Sequence, residues 1–411
     1  MSTGPDTRTG APATPVTGGR PLRVVYLDHC ALMSGGEIAL WRTLQALPEV
    51  ERTVWLAEDG PLVEPLRAAG AHVEVLPMDS AARSVARTEA ARLPVAGVVA
   101  TLRYTASLVV RLRHERPDVV HTNSLKSALY GSVAARLAGV PVVWHARDRI
   151  ADDYLPARTA AVVRALARWL PDVVVANSQA TLDALQLPAG KPASVIPDPY
   201  QPRRAPRRGH PADAPLRFVM VGRLAPWKGQ HVFLAAFAEA LRGTRHRAVL
   251  VGAALFGEDD YAAGLVRLVE ELGIGEQVEF SGFTDDVEAV LAAADVLVHA
   301  STVPEPFGQV VVEGLAAGLA VVAADAGGPA EILTPEHDGL LVRPDDPSAL
   351  AAQLRRLATD AGLRARLSTA GVATAQRYRP EALADLFLGV YRRTRRGHGA
   401  RGARDDVGCR S

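Results

Sequence analysis

The sequence has only two cysteines, Cys30 and Cys409, among its 411 residues. Two cysteines are too few for a disulfide framework, and Cys409 lies close to the end of the chain, so a reducing cytoplasm is the simplest setting. Lysine is also scarce, because the chain contains only Lys126, Lys191 and Lys228 beside many arginines. Together with abundant alanine, glycine and proline, this usage indicates a high-GC coding bias like that of actinobacteria, and it carries no information about chemistry.

The sequence also lacks an excess of charge of one sign. Its formal net charge is +1, whereas binding to a nucleic-acid backbone requires a concentrated basic face, so a general nucleic-acid binder is excluded. Residues 1–20 have no charged start followed by an apolar segment, so we expect no signal peptide and interpret them as a disordered leader.

No apolar run is long enough to cross a membrane. The longest, residues 93–112, is interrupted by Arg103 and by polar residues, and we interpret it as a mostly buried helix. The first helix, expected within residues 37–47, contains a single cation, Arg42. Contact with a membrane is therefore expected to be peripheral at most.

The composition and the pattern of apolar runs predict a large α/β protein. With 48% hydrophobic and 22% charged residues, the 411-residue chain is long enough for two domains. Short β-branched runs alternate with helix-length segments, which is typical of doubly wound parallel sheets. The predicted strands are residues 22–27, 53–57, 72–76, 118–121, 141–145, 172–176 and 193–196, and then 216–221, 248–252, 278–280, 295–300, 319–323 and 339–342.

Prolines separate the two series of strands. Residues 197–215 contain too many prolines for a ladder or a helix, because proline lacks a backbone donor and fixes φ. The chain is therefore divided into a leader (1–20), a first domain (21–199), a linker (200–215), a second domain (216–378), a final helix (379–394) and an Arg/Gly-rich tail that is expected to be disordered (395–411).

The most informative segment runs from Glu305 to Glu313, with two carboxylates eight positions apart. Gly308 permits a tight turn, after which a helix over residues 309–318 would present unpaired amides to a diphosphate. Glu305 would face a sugar, and Glu313 could bind paired ribose hydroxyls with its two oxygens. An acidic helix start followed by a solvated glutamate would have the same spacing.

Two cations upstream favour the ligand-binding interpretation. Arg223 and Lys228 follow the apolar run that ends at Val221. Arginine can bind two phosphate oxygens at once, and lysine adds a compact charge at the start of the next helix. The combination with Glu305 and Glu313 predicts a site for a sugar nucleotide.

These residues resemble the family 4 retaining glycosyltransferases, which have the GT-B fold of two Rossmann-like domains facing across a cleft. The resemblance covers most of residues 21–394 and is most specific in the second half. It rests there on Gly222-Arg223, Lys228-Gly229, Ser281-Gly282-Phe283, residues 294–296, residues 305–313, Gly318, Gly327-Gly328, Glu331 and Gly339. It implies that Phe307, Gly308 and Gln309 bind the diphosphate with Arg223 and Lys228, and that the base lies near Phe280, Gly282 and Phe283.

In the first half the resemblance is looser and rests on Gly35-Gly36-Glu37, His121, His145 and Asn177-Ser178. It implies that the loop of Gly35, Gly36 and Glu37 contacts the acceptor, and that Gly36 in this loop also contacts the diphosphate. A glycine pair before a helix can equally be only a turn. It also implies that His145 contacts the donor sugar and is catalytic together with Glu305. Two histidines at matching strand ends indicate a polar cleft. The expected acceptor-side residues are Gly35, Glu37, His121, Asn123, Arg147 and Asp148, where Arg147 and Asp148 could equally form a structural ion pair.

We expect no metal and no cofactor. No convincing Asp-x-Asp follows a strand, and Asp285-Asp286 is better explained as a helix start. The resemblance implies transfer of a sugar from a nucleotide diphosphate sugar, with UDP the commonest nucleotide, to an acceptor hydroxyl with retention. A sugar-nucleotide 2-epimerase, a glycoside phosphorylase and a catalytically dead relative are the alternatives that share the fold.

Overall fold

The computed structural model describes residues 20–79, 95–152, 155–206, 214–255 and 257–408. Two sheets, each with parallel strands only, lie one in each half of the chain. The first sheet has the strand order β3-β2-β1-β4-β5-β6-β7 and the second β10-β9-β8-β11-β12-β13. Helices connect the strands, so the predicted GT-B arrangement of two doubly wound sheets is confirmed.

The elements follow the expected alternation. The first half consists of β1 (Leu22–Asp28), α1 (Gly35–Gln45), β2 (Val50–Leu56), α2 (Val63–Ala68), β3 (His72–Val75), α3 (Val95–Glu115), β4 (Val119–Thr122), α4 (Leu125–Ala138), β5 (Val142–Ala146), α5 (Ala157–Trp169), β6 (Val173–Ala176), α6 (Gln179–Ala184) and β7 (Ala193–Val195). The second half consists of β8 (Arg217–Val221), α7 (Gln230–Leu241), β9 (Arg247–Val251), α8 (Asp259–Glu271), β10 (Val278–Gly282), α9 (Val287–Ala292), β11 (Val296–His299), α10 (Gln309–Ala316), β12 (Ala320–Ala324), α11 (Gly328–Ile332), β13 (Leu340–Val342), α12 (Pro347–Thr359), α13 (Ala361–Ala375) and α14 (Pro380–Gly408).

Central strands are mostly apolar because helices cover both faces of each sheet. All residues of β5 and β12 are buried. The helical region expected over residues 347–375 is two helices, because Asp360 ends α12 and its side chain accepts a hydrogen bond from the Leu363 amide at 2.7 Å, which starts α13.

The last helix, α14, returns to the first half. Its residues Phe387 and Tyr391 are buried in one core cluster with Tyr26 of β1 and Leu40 of α1. The expectation of a disordered tail from residue 395 was wrong as far as residue 408, because the helix continues to Gly408. Alanine and arginine favour helices, and His398 contacts the Gly139 carbonyl oxygen at 3.0 Å.

The expected leader lies outside the described residues except for Arg20, whose guanidinium binds the Asp118 carboxylate at 2.8 Å. The linker is described for residues 200–206 and 214–215. Its first residue, Tyr200, is buried and its amide donates to the Tyr378 carbonyl oxygen at 2.7 Å. The incoming and returning crossings between the halves are therefore hydrogen-bonded to each other.

The interpretation of residues 93–112 as a mostly buried helix was wrong for one face of α3. Leu108 and Leu112 are fully buried, whereas Leu102 is 63% and Val110 68% exposed. The helix packs against α4, and Leu108 and Leu112 lie in a core cluster with residues of β1 and β2, whereas Leu102 and Val110 lie outside that cluster. Among the described helices, none combines the length and the apolar character required to cross a bilayer.

The packing of α14 predicts a sharp contrast between two neighbouring residues. Phe387→Ala removes a side chain that is 1% exposed and should lower the free energy of unfolding by about 3–5 kcal/mol. Leu386→Ala is the matched control, since Leu386 is 48% exposed, and should cost less than about 1 kcal/mol. Urea denaturation of both variants measures the difference, and equal losses would show that α14 does not belong to the core of the first half.

Candidate active site

The site residues of the second half follow β8 and β11, which are neighbours in the sheet. After β8, residues Pro226–Lys228 form a short 3-10 turn and Gly229 starts α7 with φ 78°. A Cβ atom at Gly229 would lie 1.9 Å from the Ala300 carbonyl oxygen. Glycine is therefore required for the turn to approach the end of β11, and this approach brings Lys228 to Glu305.

Glu305 is the centre of a buried polar cluster. Its Oε1 atom accepts hydrogen bonds from Lys228 Nζ at 2.6 Å and from Ser301 Oγ at 2.5 Å. His299 Nε2 lies 3.0 Å from the same oxygen. The Glu305 residue is only 6% exposed, so these three partners replace the water that the carboxylate has lost.

Charge keeps the Glu305 carboxylate ionised. Burial alone would raise its pKa, but the Lys228 ammonium and His299 outweigh burial and hold the pKa of Glu305 well below its usual range. An oxygen with three hydrogen-bonding partners is a weak base and a weak nucleophile. Glu305 is consequently suited to position groups rather than to attack a sugar.

Arg223 and Lys228 converge on one indole ring. The Lys228 Nζ atom lies 4.4 Å and the Arg223 guanidinium carbon 5.9 Å from the centroid of the Trp227 ring. Arg223 Nε is also 3.2 Å from Glu258 Oε2. The predicted pair of cations is thus brought together beside Trp227, and each cation lies next to a carboxylate.

Gly308 turns the chain into α10. It has φ 88°, and a Cβ atom there would lie 2.7 Å from Pro329 Cγ, so glycine is required. The preceding side chain, Phe307, packs in the core against Tyr378 with ring centroids 5.8 Å apart. Only the main chain of Phe307 can therefore contribute to the predicted diphosphate site.

Glu313 lies on α10 where the two halves meet. Its Oε1 atom accepts from Gln309 Nε2 at 3.2 Å and is 3.8 Å from Arg42 Nη1 of α1. Burial raises the pKa of Glu313, and Arg42 and Gln309 offset this only in part. Arg42 also stacks 4.7 Å from the centroid of the Tyr200 ring. The first half therefore supplies a cation to the predicted ribose site.

Gly35 and Gly36 are the first residues of α1 and not a loop before it. A Cβ atom at Gly35 would lie 3.7 Å from Gln309 Oε1, and one at Gly36 would lie 3.2 Å from Arg147 Cδ. The start of α1 therefore faces the start of α10 across the cleft. Glu37, however, is buried and bonded to Ser34 and Cys30, so its carboxylate does not face an acceptor as predicted.

His121 and His145 are adjacent but lie under α14 instead of lining an open cleft. Their Nε2 and Nδ1 atoms, respectively, are 3.2 Å apart, and Tyr391 Oη is 3.0 Å from His121 Nδ1. Both histidines are 1% exposed. Since both nitrogens of His121 are occupied by protein partners, the structure does not support its predicted contact with the acceptor. His145 keeps Nε2 buried and without a partner.

Asn123 and Arg147 form one network at the ends of β4 and β5. Asn123 Nδ2 donates to Asp28 Oδ2 at 2.6 Å, and its Oδ1 accepts from Arg147 Nε at 2.9 Å. Arg147 also forms a buried ion pair with Asp198. The partner Asp198 gives Arg147 a structural ion pair, while the predicted pairing of Arg147 with Asp148 and the acceptor-side roles stay predictions.

Polar contacts close the cleft between the halves. Two amides at the start of α6, those of Gln179 and Ala180, each donate to the Glu331 carboxylate at 2.7 Å. Arg149 Nε donates to the Pro304 carbonyl oxygen at 3.1 Å, and the Ser178 hydroxyl donates to that of Pro306. The loop that carries Glu305 is therefore fixed by the first half.

Two family models match this chain. The model of "Glycosyl transferases group 1" matches residues 203–373, and that of "Glycosyltransferase Family 4" matches residues 62–204. A D-inositol 3-phosphate glycosyltransferase of Nocardioides is 31% identical over 313 residues, which are 68% of this chain and 68% of the relative. The chain belongs to the group 1, family 4 glycosyltransferases.

Other relatives match this glycosyltransferase over part of the chain in sequence or over most of the chain in structure. The lipopolysaccharide core biosynthesis glycosyltransferase LpsD of Rhizobium meliloti is 35% identical over 184 residues, 44% of this chain. The match spans about half (51%) of LpsD. The crystal structure of Anabaena HepE in complex with UDP has a TM-score of 0.75 and 27% identity and covers 90% of this chain and 99% of HepE.

Several residues of this glycosyltransferase site were not predicted. His299, Ser301, Glu258, Arg42 and Asp198 contact predicted residues. His299 is the last residue of β11, and His145 is the next-to-last residue of β5. The position of a histidine at a strand end could therefore have indicated His299 as a site residue. The contacts of Glu258 and Asp198 come from loops that the strand pattern does not place.

The predicted base site lies on the edge strand β10 and beyond it. Phe280 is 37% and Phe283 74% exposed, and Gly282 has φ 68°. Exposed aromatic rings at the open edge of the glycosyltransferase sheet are compatible with stacking on a base. No residue contact tests this role, and it stays a prediction.

One group of described residues has the chemistry to hold a cation. One ligand atom from each of Asp28, His29, Cys30 and Glu37 lies within 4.8 Å of the others. Burial, Glu37 and Asp28 raise the pKa of the Cys30 thiol, so the thiolate that binds metals is disfavoured. Hydrogen bonds already connect Cys30 to Glu37 and His29 to Ser124. The absence of a metal in the reaction stays a prediction.

The buried histidine pair predicts a pH dependence of stability. Burial, followed by the charge of Arg147, lowers the pKa of His121 to about 3. Below the ordinary histidine pKa of about 6.5, His121 is protonated in the unfolded chain but not in the folded protein. The free energy of unfolding therefore falls by about 1.4 kcal/mol for each unit by which the pH is lowered.

His121→Asn should therefore reduce the slope of the free energy of unfolding against pH between about pH 6 and pH 4.5. His114→Asn is the control, because the His114 side chain is 87% exposed, and should leave the slope unchanged. Urea denaturation across this pH range measures both slopes. An unchanged slope in His121→Asn would contradict the burial of a neutral ring.

Proposed function

We propose that this protein transfers a sugar from a UDP-linked donor to an acceptor hydroxyl with retention of configuration. The observation that carries the proposal is the convergence of Arg223, Lys228 and Glu305 beside the start of α10. HepE, which the chain resembles over nearly its whole length, has been crystallised with UDP and with UDP-glucose. The reaction would occur between the two sheets.

The diphosphate would be held by Arg223, Lys228 and the first amides of α10. Lys228 Nζ is 2.6 Å from Glu305 Oε1. That carboxylate fixes the direction of the ammonium, and the remaining donors of Lys228 can contact phosphate. The departing UDP would thus be neutralised by protein groups without a metal.

Retention would follow the front-face route that the family resemblance implies. The departing phosphate helps to take the acceptor proton while the sugar becomes oxocarbenium-like, so no protein nucleophile is needed. The three hydrogen-bonding partners of Glu305 Oε1 support this route, because they make that oxygen a poor nucleophile. Catalysis would depend on positioning and charge.

The remaining roles follow from position. Glu313 would bind the ribose with support from Arg42, and His145 would contact the donor sugar through its unpartnered Nε2. Gly35 and Gly36 would let the backbone of α1 approach the diphosphate and the acceptor. A hydroxyl-bearing acceptor of an envelope glycan fits the lipopolysaccharide core glycosyltransferases among the relatives. A small secondary metabolite is the other acceptor class that we propose, and a cytoplasmic location fits a nucleotide-sugar substrate.

The proposed diphosphate site can be tested by removing its two cations. Arg223→Ala or Lys228→Ala should lower the rate of UDP release from UDP-glucose by about 100-fold or more, because charge-assisted contacts strengthen in the transition state. Arg355→Ala is the control, since Arg355 pairs with Glu239 on the surface. EDTA should change the rate little. Activity that disappears with EDTA and returns with manganese would contradict the proposal that protein groups neutralise the diphosphate without a metal.

The two glutamates should give different kinetic and binding defects. Glu313→Gln should weaken UDP binding, because a ribose contact exists in the ground state and the transition state alike, whereas Glu305→Gln should lower kcat more than UDP affinity. Isothermal titration with UDP and turnover of UDP-glucose separate the two effects. Equal loss of UDP affinity in both variants would contradict this division of roles.

The products distinguish the alternatives. A transferase yields UDP and a glycoside whose formation depends on a hydroxyl acceptor. A 2-epimerase would yield an epimer or a glycal from the sugar nucleotide without any acceptor, and a phosphorylase would depend on inorganic phosphate. Product analysis by NMR with UDP-glucose, UDP-N-acetylglucosamine and phosphate in separate reactions decides among them.

A further inference from the structure

A line of hydrogen-bonding groups runs from the returning helix to the end of β5. Tyr391 Oη on α14 is 3.0 Å from His121 Nδ1. The other nitrogen of His121, Nε2, is 3.2 Å from His145 Nδ1. All three side chains are at most 1% exposed, so water does not compete for these bonds.

Each bond in this line carries one proton, and this couples the tautomers of the two histidines. Burial lowers the pKa of both rings, so each is a neutral imidazole with one N–H and one bare nitrogen. If Tyr391 donates to His121 Nδ1, then His121 carries its proton on Nε2 and donates to His145 Nδ1. The proton of His145 must then lie on its own Nε2.

The direction of the line follows from the chemistry of its first member. Burial raises the pKa of Tyr391 well above its usual value, so the phenol keeps its proton. A phenol is a better donor than acceptor, and a bare imidazole nitrogen is a better acceptor than a phenol oxygen. The neighbouring Tyr26 hydroxyl lies buried beside Tyr391, and it is the weaker of the two acceptors for the proton of Tyr391 because a phenol oxygen is less basic than a bare imidazole nitrogen.

We propose that Tyr391 is a positioning residue that acts through His121 to keep the proton of neutral His145 on Nε2, so that His145 meets its ligand as a hydrogen-bond donor. The proposal rests on the proposed function, in which that ligand is an oxygen of the donor sugar. A buried polar nitrogen without a protein partner is costly, and His145 Nε2 is such an atom. A sugar oxygen would satisfy it.

This assignment limits what His145 can do. With Nδ1 accepting from His121 and Nε2 carrying the proton, the ring has no bare nitrogen facing the ligand. His145 therefore orients the sugar and stabilises charge on a sugar oxygen, and it does not remove the proton of the acceptor. The rings of Phe387 and His145 lie 5.7 Å apart, so α14 fixes the plane of the imidazole as well as its proton.

The test compares Tyr391→Phe with Tyr26→Phe. Both changes remove one buried hydroxyl from the same aromatic cluster, in which the two rings are 6.3 Å apart, and both keep the ring that packs. Histidine-selective ¹⁵N labelling and long-range ¹H–¹⁵N spectra report each tautomer, with His121→Asn and His145→Asn used for assignment. Melting temperatures confirm that both variants are folded.

Wild-type protein and Tyr26→Phe should show the Nε2–H tautomer at His121 and His145, and Tyr391→Phe should show a mixture. The kcat for UDP release from UDP-glucose should fall about tenfold in Tyr391→Phe alone, the scale of one lost hydrogen bond, with UDP affinity unchanged in both variants.

An Nδ1–H tautomer at His145 in the wild type, or unchanged tautomers in Tyr391→Phe, would overturn the proposal. A tautomer shift in Tyr26→Phe equal to that in Tyr391→Phe would overturn the direction assigned to the line. A tautomer shift in Tyr391→Phe with unchanged kcat would overturn the positioning role. Because the spectra need no substrate, failure to bind UDP-glucose would refute the proposed function separately.

Discussion

The buried ion pair between Lys228 and Glu305 is the interaction on which the site depends. Two charges removed from water are costly unless further hydrogen bonds satisfy them, and Ser301 and His299 supply these. The pair requires the close approach of the β8 and β11 ends, which Gly229 permits. A charge that is useful for binding phosphate is thereby kept in place before a ligand arrives.

The same segment connects the ion pair to the first half of the chain. The Glu305 carbonyl oxygen accepts from the Gly328 amide at 3.0 Å, at the start of α11, and α11 carries Glu331 onto the amides of α6. Residues 304 and 306 are bonded to Arg149 and Ser178. The position of Glu305 and the contacts between the two halves therefore depend on the same few residues of one loop.

The sequence predicted the fold, and it identified the second-half residues that the structure brings together, because both depend on local patterns. Apolar runs identify strands that are buried on both faces, and Arg223, Lys228, Gly308 and Glu313 are placed by their positions relative to strand and helix ends. The contacts that sequence could not provide join distant segments, such as Asp198 to Arg147 and Tyr391 to His121. Spacing along the chain carries no information about such pairs.

The errors have physical causes of the same kind. The Arg/Gly composition of residues 395–408 suggested disorder, although α14 continues through them and His398 contacts the Gly139 carbonyl oxygen of the first half. His121 was expected in an open cleft because strand ends lie there, but the returning helix covers that strand end. In both places a long-range contact overrides the local pattern.

The most direct test of the central claim is a crystal structure of the protein with UDP. The account predicts the diphosphate within hydrogen-bond distance, about 3 Å, of both the Arg223 guanidinium and the Lys228 ammonium, with the ribose at Glu313. UDP bound away from these side chains, or held through a metal ion, would contradict it.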